Sequence, residues 1–419
     1  MKLEIVEVGQ AGDGIALLDG ERWFVAGTAP GDIVEAAPEK AGGRNAPRRA
    51  RLTGLIEAGS GRTEPPCPHF GTCGGCALQH LNADFLQDWK RQRIVEALGR
   101  KGFENVPLTE GLAGGPGRRR RASFTALSFG KGRLALGFHE RRGKRVIGIG
   151  PCPVLEPALE VLIGPLRDLM AGLLQPRTEA RIQINLTDGG ADVLIDGPVP
   201  DGLATHETLA GFAGANDLAR LSLADPAGPR TIAERRPPVL DWSPLKVTPP
   251  PGAFLQADRQ AERMMRETVA AWTSAAKRAV DLFAGVGTLT SALPSGPETL
   301  AVDADDAAMA ALSRGVDAAP GVDLKTSARN LFRRPLMADE LKRFDTAVLD
   351  PPAAGAREQA EQLAASKIGR IVYVSCAPPS FARDARILAG GGFRLVELRP
   401  IDQFYWSPDV ELAALFTRG

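Results

Sequence analysis

The sequence predicts an α/β protein whose C-terminal part is a doubly wound parallel sheet, preceded by a small β-barrel and a central α+β region. Three observations carry this. Short strands separated by glycine-rich turns fill the N-terminal stretch, cysteines gather in the middle, and beyond Asp241 apolar strands alternate with helical stretches. The 419 residues exceed one ordinary domain, and 44% hydrophobic content is ample for several cores. The expected division is 1–58, 59–240 and 241–419.

In the first part, residues 3–8 and 23–26 alternate apolar and polar, 32–36 follow a Pro-Gly turn, and 50–56 close the set. Gly12-Asp13-Gly14 and the stretch 27–31 supply turns. Such barrels often bind single-stranded nucleic acid. The central part holds a helix expected over 85–98 and a strand-like run over 181–186. Pro237-Pro238 and the prolines at 249–251 flank the transition to the last part, where strands are expected at 278–283, 299–302, 344–349 and 369–375. Runs at 393–398 and 410–416 form an antiparallel closing pair.

Four of the five cysteines read as metal ligands. Cys67, Cys73 and Cys76 stand in C-P-H-F-G-T-C-G-G-C, whose glycines let three sulfurs aim at one centre, and Cys152 returns in G-P-C-P. The chain begins with charge and has no apolar run long enough to cross a bilayer, which points to the cytoplasm, no membrane partner and reduced thiols. Structural zinc remains the rival, but it is usually held by two C-x2-C knuckles. Three clustered cysteines and one distant partner favour a 4Fe-4S cluster. The C-x3-C-x2-C spacing of radical generators is absent, so a structural or substrate-positioning role follows.

The formal net charge is only +1, yet residues 118–145 hold ten Lys or Arg against one acid, Glu140. Arg118, Arg119, Arg120 and Arg121 open that stretch, and Arg44, Arg48, Arg49 and Arg51 form a second cluster inside the barrel. Solvated loops would explain both. RNA phosphates would explain them equally.

Residues 280–288 run from a strand into a glycine turn, where Gly285 and Gly287 let the backbone approach a ligand. The next strand ends on Asp303, sixteen residues beyond Gly287, where a carboxylate can accept both hydroxyls of a ribose. That is the layout of an S-adenosylmethionine site. Two more strands end in Asp350-Pro351-Pro352 and in Cys376-Ala377-Pro378, so both tips face one crevice. Cys376 is read as a nucleophile. All four histidines precede this region, which leaves a carboxylate as the base. Glu411 interrupts the apolar run 410–415, where partial burial would raise its pKa; the alternative is an exposed strand face.

Taken together, F-L-Q at 254–256, D-L-F-A-G-V-G-T at 281–288, L-D-P-P at 349–352, Y-V-S-C-A-P at 373–378, D-Q-F at 402–404 and D-V-E at 409–411 resemble the uridine-C5 RNA methyltransferase family. The cysteine pattern and the barrel, which looks like a TRAM domain, resemble its iron-sulfur, 23S ribosomal RNA branch. The resemblance implies a Rossmann-like class I methyltransferase domain, S-adenosylmethionine as cofactor, and RNA as partner, ribosomal RNA ahead of tRNA, for a monomeric enzyme. It implies that Cys376 adds to C6 of uracil, that C5 takes the methyl group, and that Glu411 removes the C5 proton. It also implies that Gln256, Phe283, Thr288, Asp303, Asn330 and Asp350 contact or order the cofactor. Ala377, Ala353 and Asp409 depart from the family pattern, where Asn, Arg and His are frequent. An RNA-binding protein of the same fold with weak or lost activity is the alternative.

Overall fold

Five strands close the N-terminal barrel: β1 (Lys2–Val8), β2 (Asp13–Leu18), β3 (Glu21–Ala26), β4 (Ile33–Pro38) and β5 (Arg48–Glu57), in the order β1-β2-β3-β5-β4 with β4 returning to β1. The computed structural model describes residues 1–40, 46–111, 114–294 and 298–418, so Arg44 lies outside the described residues. Alternate residues fill the barrel, including Leu3, Ile5, Ala16, Val25, Val34, Ala36 and Ala50. Strand β2 starts where Gly12-Asp13-Gly14 reads as a turn. Asp13 is buried there because its carboxylate takes Arg49 and Arg141, each at 2.9 Å, and also Arg142.

Helix α1 (Ala83–Gly99) follows, capped by the Asn82 side chain, which accepts from the Phe85 N–H at 2.9 Å. It extends the expected 85–98 at both ends. A seven-stranded sheet is built from β6 (Arg121–Gly130), β7 (Arg133–His139), β8 (Val146–Gly148), β9 (Glu179–Thr187), β10 (Gly190–Asp196), β11 (Arg220–Leu223) and β12 (Arg230–Glu234), in the order β12-β11-β10-β9-β6-β7-β8. Helices α2 (Pro157–Glu160), α3 (Ile163–Leu173) and α4 (Leu203–Ala215) lie between these strands in the chain. Leu159, Leu166, Met170 and Leu209 bury against Phe124, Ile182, Ile184 and Val193. A small hairpin, β13 (Leu240–Trp242) and β14 (Leu245–Val247), leads into the last part.

There α5 (Arg259–Thr273), β15 (Arg278–Leu282), β16 (Glu298–Asp303), α6 (Asp306–Asp317), β17 (Leu324–Ala328), α7 (Ala338–Leu341), β18 (Thr346–Leu349), α8 (Arg357–Ala365), β19 (Arg370–Ser375), α9 (Pro378–Gly390), β20 (Arg394–Ile401) and β21 (Glu411–Thr417) alternate. The sheet order is β17-β16-β15-β18-β19-β21-β20, parallel from β17 to β19 and antiparallel in the closing pair. Strands β18 and β19 are buried on both faces, which is why they read as unbroken apolar runs. Leu349, Ile371 and Tyr373 face α1, α8 and α9, while Val348, Val372 and Val374 face α5. Strand β17, with the sequence Leu-Lys-Thr-Ser-Ala, was not expected; it sits at the sheet edge, where half-exposed polar residues are stable.

No helix among the described residues is long and apolar enough to cross a membrane.

Candidate active site

In the C-terminal sheet the strand order reverses between β15 and β18, and a crevice opens beyond their carboxyl ends. The loop after β15 forms one wall. Gly285 has φ +55° and a Cβ there would meet no atom of the described residues within 4 Å, so the backbone is left bare. Gly287 has φ +95°, and a Cβ would stand 2.5 Å from Leu312, so this position admits only glycine. Phe283 also has a positive φ, 63°, an unusual conformation for a bulky residue, and its ring packs against Phe332 at 5.3 Å between centroids. Asp303 ends β16; its Oδ2 accepts from the Gly285 N–H at 2.9 Å and its Oδ1 from the Asp305 N–H at 2.9 Å. The half-buried Thr288 follows Gly287. Asn330 is exposed beyond β17, its Oδ1 accepting from the Phe332 and Arg333 N–H groups, each at 3.1 Å.

Beneath the loop Asp281 is wholly buried; it accepts from the Thr290 hydroxyl and is pushed up to about 7, first by burial, with Asp350 and Asp303 adding repulsion. Sequence reasoning passed over this residue as part of a strand.

An amide chain links two more carboxylates. Gln256 Nε2 donates to Asp350 Oδ2 at 3.0 Å, and Gln256 Oε1 accepts from Gln403 Nε2 at 2.8 Å. Gln403 Nε2 also donates to Glu411 Oε2 at 2.6 Å. Glu411 is 2% exposed, which decides between the two readings of its strand: it faces inward. Burial drives its pKa well above the ordinary carboxylate value and Asp350 adds repulsion, while the Gln403 bond opposes both. Among the described residues its buried Oε1 has no hydrogen-bond partner.

Cys376 follows the last residue of β19 and precedes α9, at the strand tip beside the one that carries Asp350. Burial and the neighbouring Glu411 and Asp350 push its thiol up to about 12. The nearby N-terminus of α9 works in the opposite sense, favouring a thiolate. The loop after Asp350 is fastened to α9: Ser380 donates to Ala353 O at 2.8 Å, Arg383 to Ala354 O at 2.9 Å, and Asp384 Oδ2 accepts from both Ala356 N and the Tyr373 hydroxyl at 2.7 Å. These bonds tie the two strand tips together. Asp384 had no signal in the sequence beyond being an acid on a helix.

Cys67, Cys73, Cys76 and Cys152 are all free thiols and line a single cavity of about 460 Å³, together with Arg119 and residues 402–407 and 409. Burial raises Cys73, takes Cys76 up to about 11 and Cys152 up to about 12, and the thiols reinforce one another. Among the described residues no three of His, Cys, Asp or Glu converge closely enough to hold a single metal ion. The expected metal set is thus gathered on one cavity and not drawn to one ion-binding point.

The expected RNA-facing arginines divide. Arg120 must be removed from that set: it is 2% exposed, pairs with the buried Glu262, and its Nε donates to Gln256 O at 2.9 Å. An arginine so enclosed positions the Gln256 backbone and presents nothing to a phosphate. Its signal was the period of two that puts Arg120 in phase with the buried Ala122, Phe124 and Ala126. Arg49 is held on Asp13, and Arg119 is turned toward the cysteine cavity. Arg121 stacks over the exposed ring of Phe254 at 4.3 Å. Arg48 and Arg51 are exposed, Arg48 pairing with Glu21 at 3.1 Å, and the half-buried Arg118 bonds Gln260.

A doubly wound sheet with this strand order, an antiparallel closing pair and a small barrel ahead of it defines a class I methyltransferase fold. A crystal structure of a Pyrococcus abyssi tRNA (uracil-54, C5)-methyltransferase superimposes over 100% of both chains, with a TM-score of 0.76 and 23% identity. Relatives named as uncharacterized RNA methyltransferases are 38% identical in Caulobacter vibrioides, over 99% of both chains, and 38% identical in Brucella suis, over 100% of this chain and 98% of that one. A 23S rRNA (uracil(1939)-C(5))-methyltransferase of Halomonas elongata is 31% identical over 97% of this chain and 88% of its own. The chain belongs to the uridine-C5 RNA methyltransferase family. No family model matches it.

Proposed function

We propose that the protein transfers a methyl group from S-adenosylmethionine to C5 of a uridine in RNA, with 23S ribosomal RNA as the substrate. One observation carries the reading: Cys376 and Asp350, at adjacent strand tips, lie close enough to the buried carboxylate of Glu411 for the charges to act on one another, and among the described residues Glu411 Oε1 has no partner. Uracil C5 is a weak nucleophile until a group adds at C6. Cys376, as its thiolate, would form the C6–S bond while the C5–C6 π electrons shift onto C5 and the adjoining carbonyl, and C5 would then take the methyl group as the bond from methyl to the donor sulfur breaks with its electron pair left on that sulfur. Glu411 would then take the C5 proton, the C5–H electrons would restore the C5–C6 double bond, and the C6–S bond would break to return the thiolate. S-adenosylmethionine, when bound, supplies the transferable methyl on a cationic sulfur, whose charge favours the ionised forms of acids in the crevice.

Gln256, Phe283, Gly285, Gly287, Thr288, Asp303, Asn330 and Asp350 would hold that cofactor. The bare backbone at Gly285 and the fixed Asp303 carboxylate fit it: the first leaves room, and the second offers oxygens to a ribose. The target base must leave its stack to reach Cys376. The exposed Phe254 ring under Arg121 offers a platform for a base, and Arg48, Arg51 and Arg118 offer charge to phosphates.

The four cysteines fit a 4Fe-4S cluster better than zinc. A tetrahedral zinc ion, with bonds of about 2.3 Å, would draw the sulfurs to within about 4 Å of one another. A cluster spreads its thiolates over four irons and needs a cavity. On this reading 59–240 is the cluster-bearing part, 1–58 an RNA-binding barrel and 241–419 the methyltransferase domain. The structural similarity to a tRNA enzyme makes tRNA the second substrate to test. The experiment is transfer of labelled methyl from S-adenosylmethionine to ribosomal RNA and to tRNA that lack the modification. Label in 5-methyluridine of ribosomal RNA is expected. Labelled 5-methyluridine in tRNA alone would move the substrate, and none in either would leave an RNA-binding protein.

A further inference from the structure

Gln403 lies outside every set of residues read as nucleophile, base, cofactor ligand or metal ligand, yet both ends of its side-chain amide are engaged by the residues around Glu411. It is 6% exposed. Its Oε1 accepts from the Ala257 N–H at 2.8 Å, and its Nε2 donates to Gln256 Oε1 at 2.8 Å and to Glu411 Oε2 at 2.6 Å. A side-chain amide can usually be turned over without changing its shape. This one cannot, because a backbone N–H only donates and so fixes which end is the oxygen. The NH₂ end therefore always faces Glu411.

We infer that Gln403 is the positioning residue for the proton-abstraction step: it occupies Glu411 Oε2 and so presents Glu411 Oε1 as the one oxygen able to take the C5 proton. The inference rests on the proposed reaction. The segment that carries Gln403 is itself held. Lys90 Nζ donates to Asp402 Oδ1 at 2.7 Å and to Phe404 O at 2.8 Å, and the Phe404 N–H closes on Asp402 Oδ1 at 2.9 Å. Through Gln256 the same amide also fixes which end of that side chain meets Asp350. Without Gln403, the titratable groups acting on Glu411 among the described residues are Asp350, Asp409 and Cys376, all acids. The proton would then be held more tightly on Glu411, and the carboxylate would become available only at higher pH.

The test uses the full-length enzyme, Gln403→Met and Gln403→Glu, with ordinary RNA and with 5-fluorouridine RNA. Fluorine at C5 stops the reaction after methyl transfer, so adduct formation reports attack and transfer without proton abstraction. Gln403→Met is expected to form the fluorinated adduct within about threefold of the wild-type rate. Turnover on ordinary RNA should fall by about 10-fold to 100-fold, within the range that a general base contributes. A methylated covalent intermediate should accumulate, and the acid limb of the pH profile should move to higher pH. Gln403→Glu, which keeps the shape and adds a fourth acid, should move that limb further. Adduct formation that falls in step with turnover, or wild-type pH profiles in both variants, would overturn the inference. If the wild type itself forms no adduct, the proposed reaction fails and not the role of Gln403 alone.

Discussion

Lys90 Nζ lies 2.7 Å from Asp402 Oδ1, and both side chains are withdrawn from water. The pair joins α1 to a segment 312 positions further along the chain, next to Gln403 and Glu411. Removing one partner of a buried pair strands the other charge, so Lys90→Met should lose about 3–5 kcal/mol. A lower denaturant midpoint with an unchanged slope is the expected record. Replacing Lys90 and Asp402 together by apolar residues should recover much of the loss.

Glu411 exchanges stability for reactivity. Its folded-state pKa lies above the unfolded value of 4.5, so the folded protein binds this proton more tightly than the unfolded chain does. The contribution is fully present below about pH 4.5 and is lost as pH rises toward the raised folded value. Glu411→Gln removes that loss. The variant should therefore melt above the wild type near about pH 8 and close to it near about pH 4. Equal melting temperatures at both pH values would show that Glu411 is not desolvated in solution.

Arg120 and the more accessible arginines should fail in different ways. Arg120→Ala leaves Glu262 charged and buried, and about 3–5 kcal/mol of stability should go with it. Replacing Arg48, Arg51 and Arg118 should leave the melting temperature nearly unchanged and weaken binding to many RNAs alike. The log-log dependence of affinity on salt should flatten by about one unit for each phosphate no longer neutralised. An unchanged salt slope in the triple variant would make these residues solvated surface.

Protein purified without oxygen should be brown and carry iron and sulfide at about four each per chain. Replacing Cys73 by Ser should lower both. Zinc in stoichiometric amount with no sulfide would restore the rival reading of Cys67, Cys73, Cys76 and Cys152.

Much of this architecture was legible because it depends on local pattern. Strands β15, β16, β18 and β19 announce themselves as apolar runs that end in Gly, Asp or Cys, and the barrel strands alternate. In the central part only the run at β9 was singled out, so β6 to β8 and β10 to β14 escaped; β2 escaped because glycine flanks Asp13 and hides the strand start, and β17 because an edge strand needs no apolar run. Cys376 and Asp350 were legible as polar residues at strand tips, and Glu411 as a charge interrupting an apolar run whose burial the sequence left open. Gln403, Asp384 and Lys90 were not, since each acts through a partner that only tertiary folding brings near. Arg120 shows the converse limit: four consecutive arginines look alike to a charge count, although strand phase separates one of them.

The central claim is that Cys376 attacks the base, and the most direct measurement is covalent trapping on ribosomal RNA containing 5-fluorouridine, in the presence of S-adenosylmethionine. Wild-type protein should form a complex that survives denaturation, and peptide mapping should place the nucleotide on Cys376, with none formed by Cys376→Ala. A complex that persists in Cys376→Ala, or full turnover by that variant, would contradict the account.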